Sequence, residues 1–226
     1  MDVEADIKTD IKTEIKIEVK KDFIPAGRLN RPAYYNPGQF ITVHETGNFS
    51  KGADAAAHAR YLKTVNDKIS WHYTVDDKDC YQHLPEEETA FHAGDGAGDG
   101  NRKSIGIEIC VNEGGELEKA VNNAARLVAK IMVRRKIPLE NIVPHHHWSG
   151  KNCPQGILAG KPVNWQDFLF LVEAQRERQP HWAEGFLLYL QEKGVVDTPV
   201  AWSDLDAPLG KGQALALCGK LLKRVL

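Results

Sequence analysis

Metal-binding and reactive side chains crowd into one stretch of this chain, Pro144 to Pro154, which reads PHHHWSGKNCP and holds three of the nine histidines and one of the four cysteines. Imidazole nitrogen and thiolate sulfur are donors that zinc favours, and a catalytic zinc site uses three protein ligands and leaves a fourth position for water. The stretch calls for a further ligand from elsewhere. The best candidate is His44 in ITVHETGN, where a β-branched run leads into a turn. His44, one histidine of the triplet and Cys153 would leave the metal site with a net charge of plus one, enough to acidify bound water. If the triplet is extended, His145 and His147 point one way and His146 the other, so alternation excludes only His146.

The elements that must carry these groups follow from pattern. Phe40 to His44 reads as a core strand, reached through a loop rich in proline and glycine (Pro25, Gly27, Pro32, Pro37, Gly38). Ala53 to Lys63 is alanine-rich and reads as a helix. Ile69 to Val75 and Asp79 to His83 read as a hairpin around Asp76-Asp77-Lys78. Ala93 to Asn101 is too glycine-rich for regular structure and reads as a flexible loop; it lacks the Gly-Lys-Ser/Thr ending of a phosphate-binding loop. Ser104 to Val111 reads as a strand carrying Glu108. Glu116 to Lys136 is the clearest helix, with Leu117, Val121, Ala124, Val128 and Ile131 on one stripe and Arg134, Arg135 and Lys136 where cations suit the helix dipole. Trp165 to Arg178 reads as another helix. Cys80 and Cys110 fall on predicted strands and read as small buried hydrophobes. The class this implies is α/β: a mixed central β-sheet flanked by helices, with a small C-terminal helical appendage.

The ends of the chain read differently. From Ile7 to Val19 every odd position is β-branched while the even positions alternate acid with base, a period of two that favours a strand buried on one face. A helix would stack like charges at i,i+4; a solvated arm is the alternative. Around Gln179-Pro180 the character changes, which sets a main domain at 1–178, with 1–20 as its strand or arm, and a helical pair at 179–226. That pair, marked by Trp182, Phe186 and Leu190 and by Leu217, Leu221 and Val225, is too small to be stable alone. It must pack on the main domain, on a copy of itself in a homodimer, or on a ligand surface.

Composition sets the outer limits. In 226 residues, 42% are hydrophobic and the formal charge is −2, so a core can form and nothing favours nucleic acid. Four scattered cysteines do not make a disulfide scaffold. The acidic start, MDVEAD, is followed by no apolar signal region, and no run reaches the roughly 18 apolar residues of a membrane helix. Cytoplasmic synthesis without membrane insertion is the expectation.

Five motifs in order, TVHETGN, SWHY, FHAGDG, SIGIEI and HHHWSGKNCP, resemble the zinc-dependent N-acetylmuramoyl-L-alanine amidases. That group includes phage endolysins, Bacillus and Clostridium cell-wall amidases and, more distantly, the peptidoglycan recognition proteins. The resemblance covers roughly residues 20 to 160. It implies one zinc per chain on His44, His145 and Cys153, the eight-residue spacing to Cys153 selecting His145. It implies Glu108 as the proton-transfer carboxylate and Lys151 as the cation beside a developing oxyanion, with His72, His92, Trp71 and Trp148 lining the substrate groove and the glycine-rich loop as its mobile wall. His147 stands where these enzymes often carry aspartate, and Trp71 where some carry tyrosine.

The resemblance implies hydrolysis of the bond between N-acetylmuramic acid and L-alanine of the stem peptide at the bacterial cell wall. An endolysin would need a holin-like partner for release; a bacterial autolysin is the second setting. The competing class is a non-catalytic peptidoglycan-binding protein, and the presence of Cys153 speaks against it. Residues 179–226 weakly resemble a single S-layer-homology-like module of the kind used for wall attachment.

Overall fold

In the computed structural model, residues 18–177 are described. The alternating run at 7–17 and the helical appendage at 179–226 lie outside the described residues. Six strands form one sheet: β1 (Val19–Lys21), β2 (Phe40–Glu45), β3 (Tyr73–Val75), β4 (Cys80–Gln82), β5 (Ser104–Ile109) and β6 (Ile142–Pro144). Their order is β1-β4-β3-β5-β2-β6. Every neighbouring pair is parallel except β3 with β4, the predicted hairpin.

Alternation along the two central strands divides the sheet into an apolar and a chemical face. Ile41 and Val43 of β2 and Ile105, Ile107 and Ile109 of β5 are wholly buried in the main core. Against them lies helix α3 (Leu117–Arg135), through Ala120, Val121, Ala124, Val128 and Ile131. Helix α6 (Trp165–Glu177) adds Phe168 and Val172 to the same core. The even positions, Thr42 and His44 of β2 and Ser104, Gly106 and Glu108 of β5, turn to the opposite face. Helix α1 (Ala55–Thr64) belongs there, with Leu62 in a second cluster that includes Ile24, Trp71, Leu84 and Ala90. Asp54 caps α1 by accepting the Ala57 N–H at 2.8 Å. A slip of one residue would put Ile41 and Val43 of β2, or the isoleucines of β5, into the site and His44 or Glu108 into the core.

Two expectations fail locally. The histidine stretch is not extended: His146–Ser149 forms a one-turn helix, α4, closed by Gly150 at φ +71°. Side-chain alternation therefore does not apply to the triplet. The stretch Ala93 to Asn101 is bonded rather than loose. Its last residues enter a short helix, α2 (Asp99–Lys103). The Asp95 carboxylate accepts the N–H groups of Gly100 and Asn101 at 2.7 and 3.2 Å, and the Asn101 side chain donates to the Gly96 carbonyl at 3.0 Å. Side-chain to backbone bonds do here what a helix or sheet ladder does elsewhere.

Candidate metal centre

The site forms where β2, β5 and β6 run side by side. In the parallel register His44 lies opposite Glu108, one residue from the end of each strand. β6 delivers the chain to His145, whose N–H donates to the Val43 carbonyl at 3.2 Å, so His145 sits level with the end of β2. Helix α4 then turns the chain back. The His146 N–H donates to the Cys153 carbonyl at 3.0 Å, closing the loop that carries Lys151. Beyond Cys153, a fifth helix, α5 (Gln155–Leu158), begins over the Glu45 carboxylate, which accepts the N–H groups of Gly156 and Ile157 at 2.7 and 3.1 Å.

These contacts bring His44, His145 and Cys153 together. All three are buried, and their donor atoms lie within 4.8 Å of one another. His44 Nδ1 is 2.9 Å from His145 Nδ1 and 3.8 Å from Cys153 Sγ. Two imidazoles and a thiol turned toward one another are a donor set suited to zinc. Among the described residues no other group of histidines, cysteines and carboxylates is so arranged.

The carboxylate of Glu108 stands 4.0 Å from His44 Nδ1 and is 13% exposed. Burial pushes its carboxyl up to about 8, with the positive charge of Lys151 pulling the other way. Burial likewise pushes the Cys153 thiol up to about 12, reinforced by the negative charge of Glu108. His44 is held well below the usual imidazole range by burial, then by its histidine neighbours and Lys151. Lys151 is exposed, yet its charge weighs on His44, His145, Cys153 and Glu108 alike. Glu108 also lines a cavity of about 330 Å³ whose walls include Thr46, Asn48, His58, Tyr61 and Trp71.

The residues expected to line a substrate groove separate. Trp71 does line the cavity, its indole N–H held by Thr74 Oγ1 at 2.7 Å. His72 does not reach a surface: it is 0% exposed, its Nε2 meets the Glu88 carbonyl and its Nδ1 accepts the Gly106 N–H. His92 is buried behind His44 rather than in a groove, with its Nδ1 2.9 Å from His44 Nε2. Trp148 is half-buried, donates to Thr42 Oγ1 at 2.8 Å and packs edge-on to Phe40. His147 is exposed and stacks edge-on to Trp148, away from the ligand cluster. Sequence reasoning missed Glu45. A carboxylate after a strand histidine is an ordinary surface pattern, and nothing in the sequence marks its reach across 111 positions to Gly156.

The profile of the N-acetylmuramoyl-L-alanine amidase family matches residues 34–156, which include His44, Glu108, His145 and Cys153. The chain belongs to this family. It is 54% identical over 151 residues to the N-acetylmuramoyl-L-alanine amidase CwlH of Bacillus subtilis (strain 168), covering 66% of this chain and 59% of that protein. It is 56% identical over 138 residues to the amidase XlyA of the same strain, covering 61% of this chain and 46% of that protein. The chain thus spans about half the length of the curated relatives it matches. Among solved structures, the catalytic domain of XlyA superposes with a TM-score of 0.66 at 51% identity, over 69% of this chain and 99% of that domain. PlyL superposes at 0.64 with 38% identity, over 69% of this chain and 97% of the other. Among the described residues no helix is long and apolar enough to cross a membrane.

Proposed function

We propose that this chain is a peptidoglycan hydrolase that cleaves the amide bond between N-acetylmuramic acid and L-alanine of the stem peptide, with one zinc ion held by His44, His145 and Cys153. The observation that carries the reading is the buried His-His-Cys cluster with Glu108 beside it, Glu108 also lining a cavity of about 330 Å³. When bound, zinc supplies a Lewis acid that polarises the amide carbonyl and makes water a better nucleophile at neutral pH.

The chain's own groups do the rest. Glu108 faces both the ligand cluster and the cavity, so it can accept a proton from the attacking water and return it to the departing L-alanine nitrogen. Its burial keeps the carboxyl in the range where both protonation states are reachable. Lys151 forms no ion pair among the described residues, so its ammonium can turn to the negative charge that develops on the carbonyl oxygen; such a contact exists only in the transition state and therefore accelerates. Trp71 and Tyr61, which line the cavity, offer aromatic surface to a peptide lying there. The setting is that of an endolysin or autolysin acting on the cell wall.

Digestion of purified wall tests the reading. New L-alanine amino ends without new reducing sugars are expected, together with about one zinc per chain and loss of lysis on chelation. New reducing ends instead would identify a glycosidase and reject the proposal.

A further inference from the structure

We propose that His92, Ala93 and Gly94 form one positioning segment for both histidine ligands, so that the FHAGDG motif belongs to the metal site and not to the substrate groove. The inference rests on the zinc reading above. His44 turns Nδ1 toward His145 and Cys153. To offer a lone pair there it must carry its proton on Nε2, and that N–H then points at His92 Nδ1, 2.9 Å away. His92 must accept, so its own proton resides on Nε2, which is buried and makes no full hydrogen bond, the Ser104 carbonyl being in loose contact with the ring. A metal-ligating histidine gains orientation and basicity from a partner on its outer nitrogen. Here that partner is a second, neutral histidine.

The neighbouring residues serve the other ligand. His145 also turns Nδ1 inward, and its buried Nε2 faces the Ala93 carbonyl in a contact too loose to count as a full hydrogen bond. Gly94, at φ +71°, runs alongside, where a Cβ would meet the same nitrogen at the ordinary contact distance of 3.6 Å. The segment is itself fixed. Asn101 Oδ1 accepts the N–H groups of His92 and Ala93 at 2.7 and 2.8 Å, and Asp95 anchors Asn101 in turn. On the sheet side, a Cβ on Gly106 would come within 2.8 Å of the His92 ring. The glycine between Ile105 and Ile107 is the space the ring occupies.

The test uses the full chain, zinc alone as the probe, and two substitutions. His92→Leu keeps bulk and removes the acceptor, whereas His92→Asn places an oxygen near the position of Nδ1. Competition against a chromophoric chelator is expected to show zinc affinity reduced about 10- to 100-fold in His92→Leu and largely recovered in His92→Asn, in an order that does not follow the urea stability of the zinc-free proteins. Nitrogen-15 spectra of the unaltered, zinc-loaded chain are expected to show His92 protonated on Nε2 with Nδ1 accepting. Parent-like affinity in His92→Leu, equal losses in both variants, or a His92 protonated on Nδ1 would overturn the inference while leaving the zinc reading intact. Parent protein that takes up no zinc would overturn both.

Discussion

The two halves of the candidate metal site are held by different means. The upstream half, His44 and Glu108, lies on adjacent parallel strands whose backbone ladder places the two residues opposite one another. The downstream half, His145, Lys151 and Cys153, follows β6 in a one-turn helix and a loop, and it keeps its shape through single bonds. They include His145 N–H to the Val43 carbonyl, His146 N–H to the Cys153 carbonyl, Trp148 to Thr42, and Glu45 to the start of α5. A ladder spreads its restraint over many bonds, so the backbone of this half depends on no one side chain, although the His44 ring still meets His92. A loop tied at a few points depends on each of them. The backbone of the upstream half should therefore tolerate the loss of single ties, and that of the downstream half should not.

The largest effects test whether the halves form one site. His44→Ala from the upstream half and Cys153→Ala from the downstream half should each lower zinc content from about one per chain to a small fraction and abolish wall lysis. If either variant keeps zinc with full affinity, the site does not span the two halves. Next come the groups that do not hold the metal. Glu108→Ala should retain zinc and lower turnover by about 10² to 10⁴-fold, and Lys151→Ala by about 10² to 10³-fold. Metal analysis and turnover measured on the same preparations separate these outcomes from simple loss of zinc.

A smaller effect addresses the ties directly. Glu45→Ala leaves the Gly156 and Ile157 N–H groups without their acceptor, a cost of about 1–3 kcal/mol where such groups are buried. Part of that cost should appear as roughly tenfold weaker zinc binding, because the loop then holds Cys153 less well. Chelator competition measures it. Unchanged affinity in Glu45→Ala would show that the downstream half is rigid without this tie and would erase the contrast between the halves.

That contrast also explains what could be read from the sequence. The strands at Phe40 and Ser104 were legible because alternation of isoleucine with polar residues is a property of the strand itself, and the helix at Leu117–Arg135 because its apolar stripe repeats over five turns. Order along the chain brought His44, Glu108, His145 and Cys153 into one motif set. The conformation of His146–Ser149 was not legible: one helical turn has no period to detect, and it is set by Gly150 and by the Thr42 and Cys153 contacts. Nor was the order in the 93–101 loop. Glycine content suggests freedom, but the Asp95 and Asn101 side chains supply acceptors that only the folded path reveals. The role of His92 was hidden for the same reason, since a histidine facing another histidine cannot be told in sequence from one facing a groove.

The smallest predicted effect concerns the sheet on which the upstream half depends. Burial lowers His72 to about 4 and His83 to about 3. His72 Nδ1 accepts from Gly106 of β5 and must stay neutral for that contact to persist, and His83 Nε2 shares a hydrogen bond with Thr74 of β3. Unfolded, each would titrate near 6.5. Above that value neither state is charged and neither histidine contributes a pH dependence. Below it the unfolded chain takes up protons that the folded chain refuses, so stability falls as the pH drops from about 6.5 toward 4, by up to roughly 1.4 kcal/mol per pH unit for each histidine. Urea unfolding at pH 7, 6 and 5, with chelator present so that metal loss does not contribute, should show this slope. A flat profile across that range would mean that the buried histidines accept protons without disturbing the sheet, and that the ladder is more tolerant than its buried contacts imply.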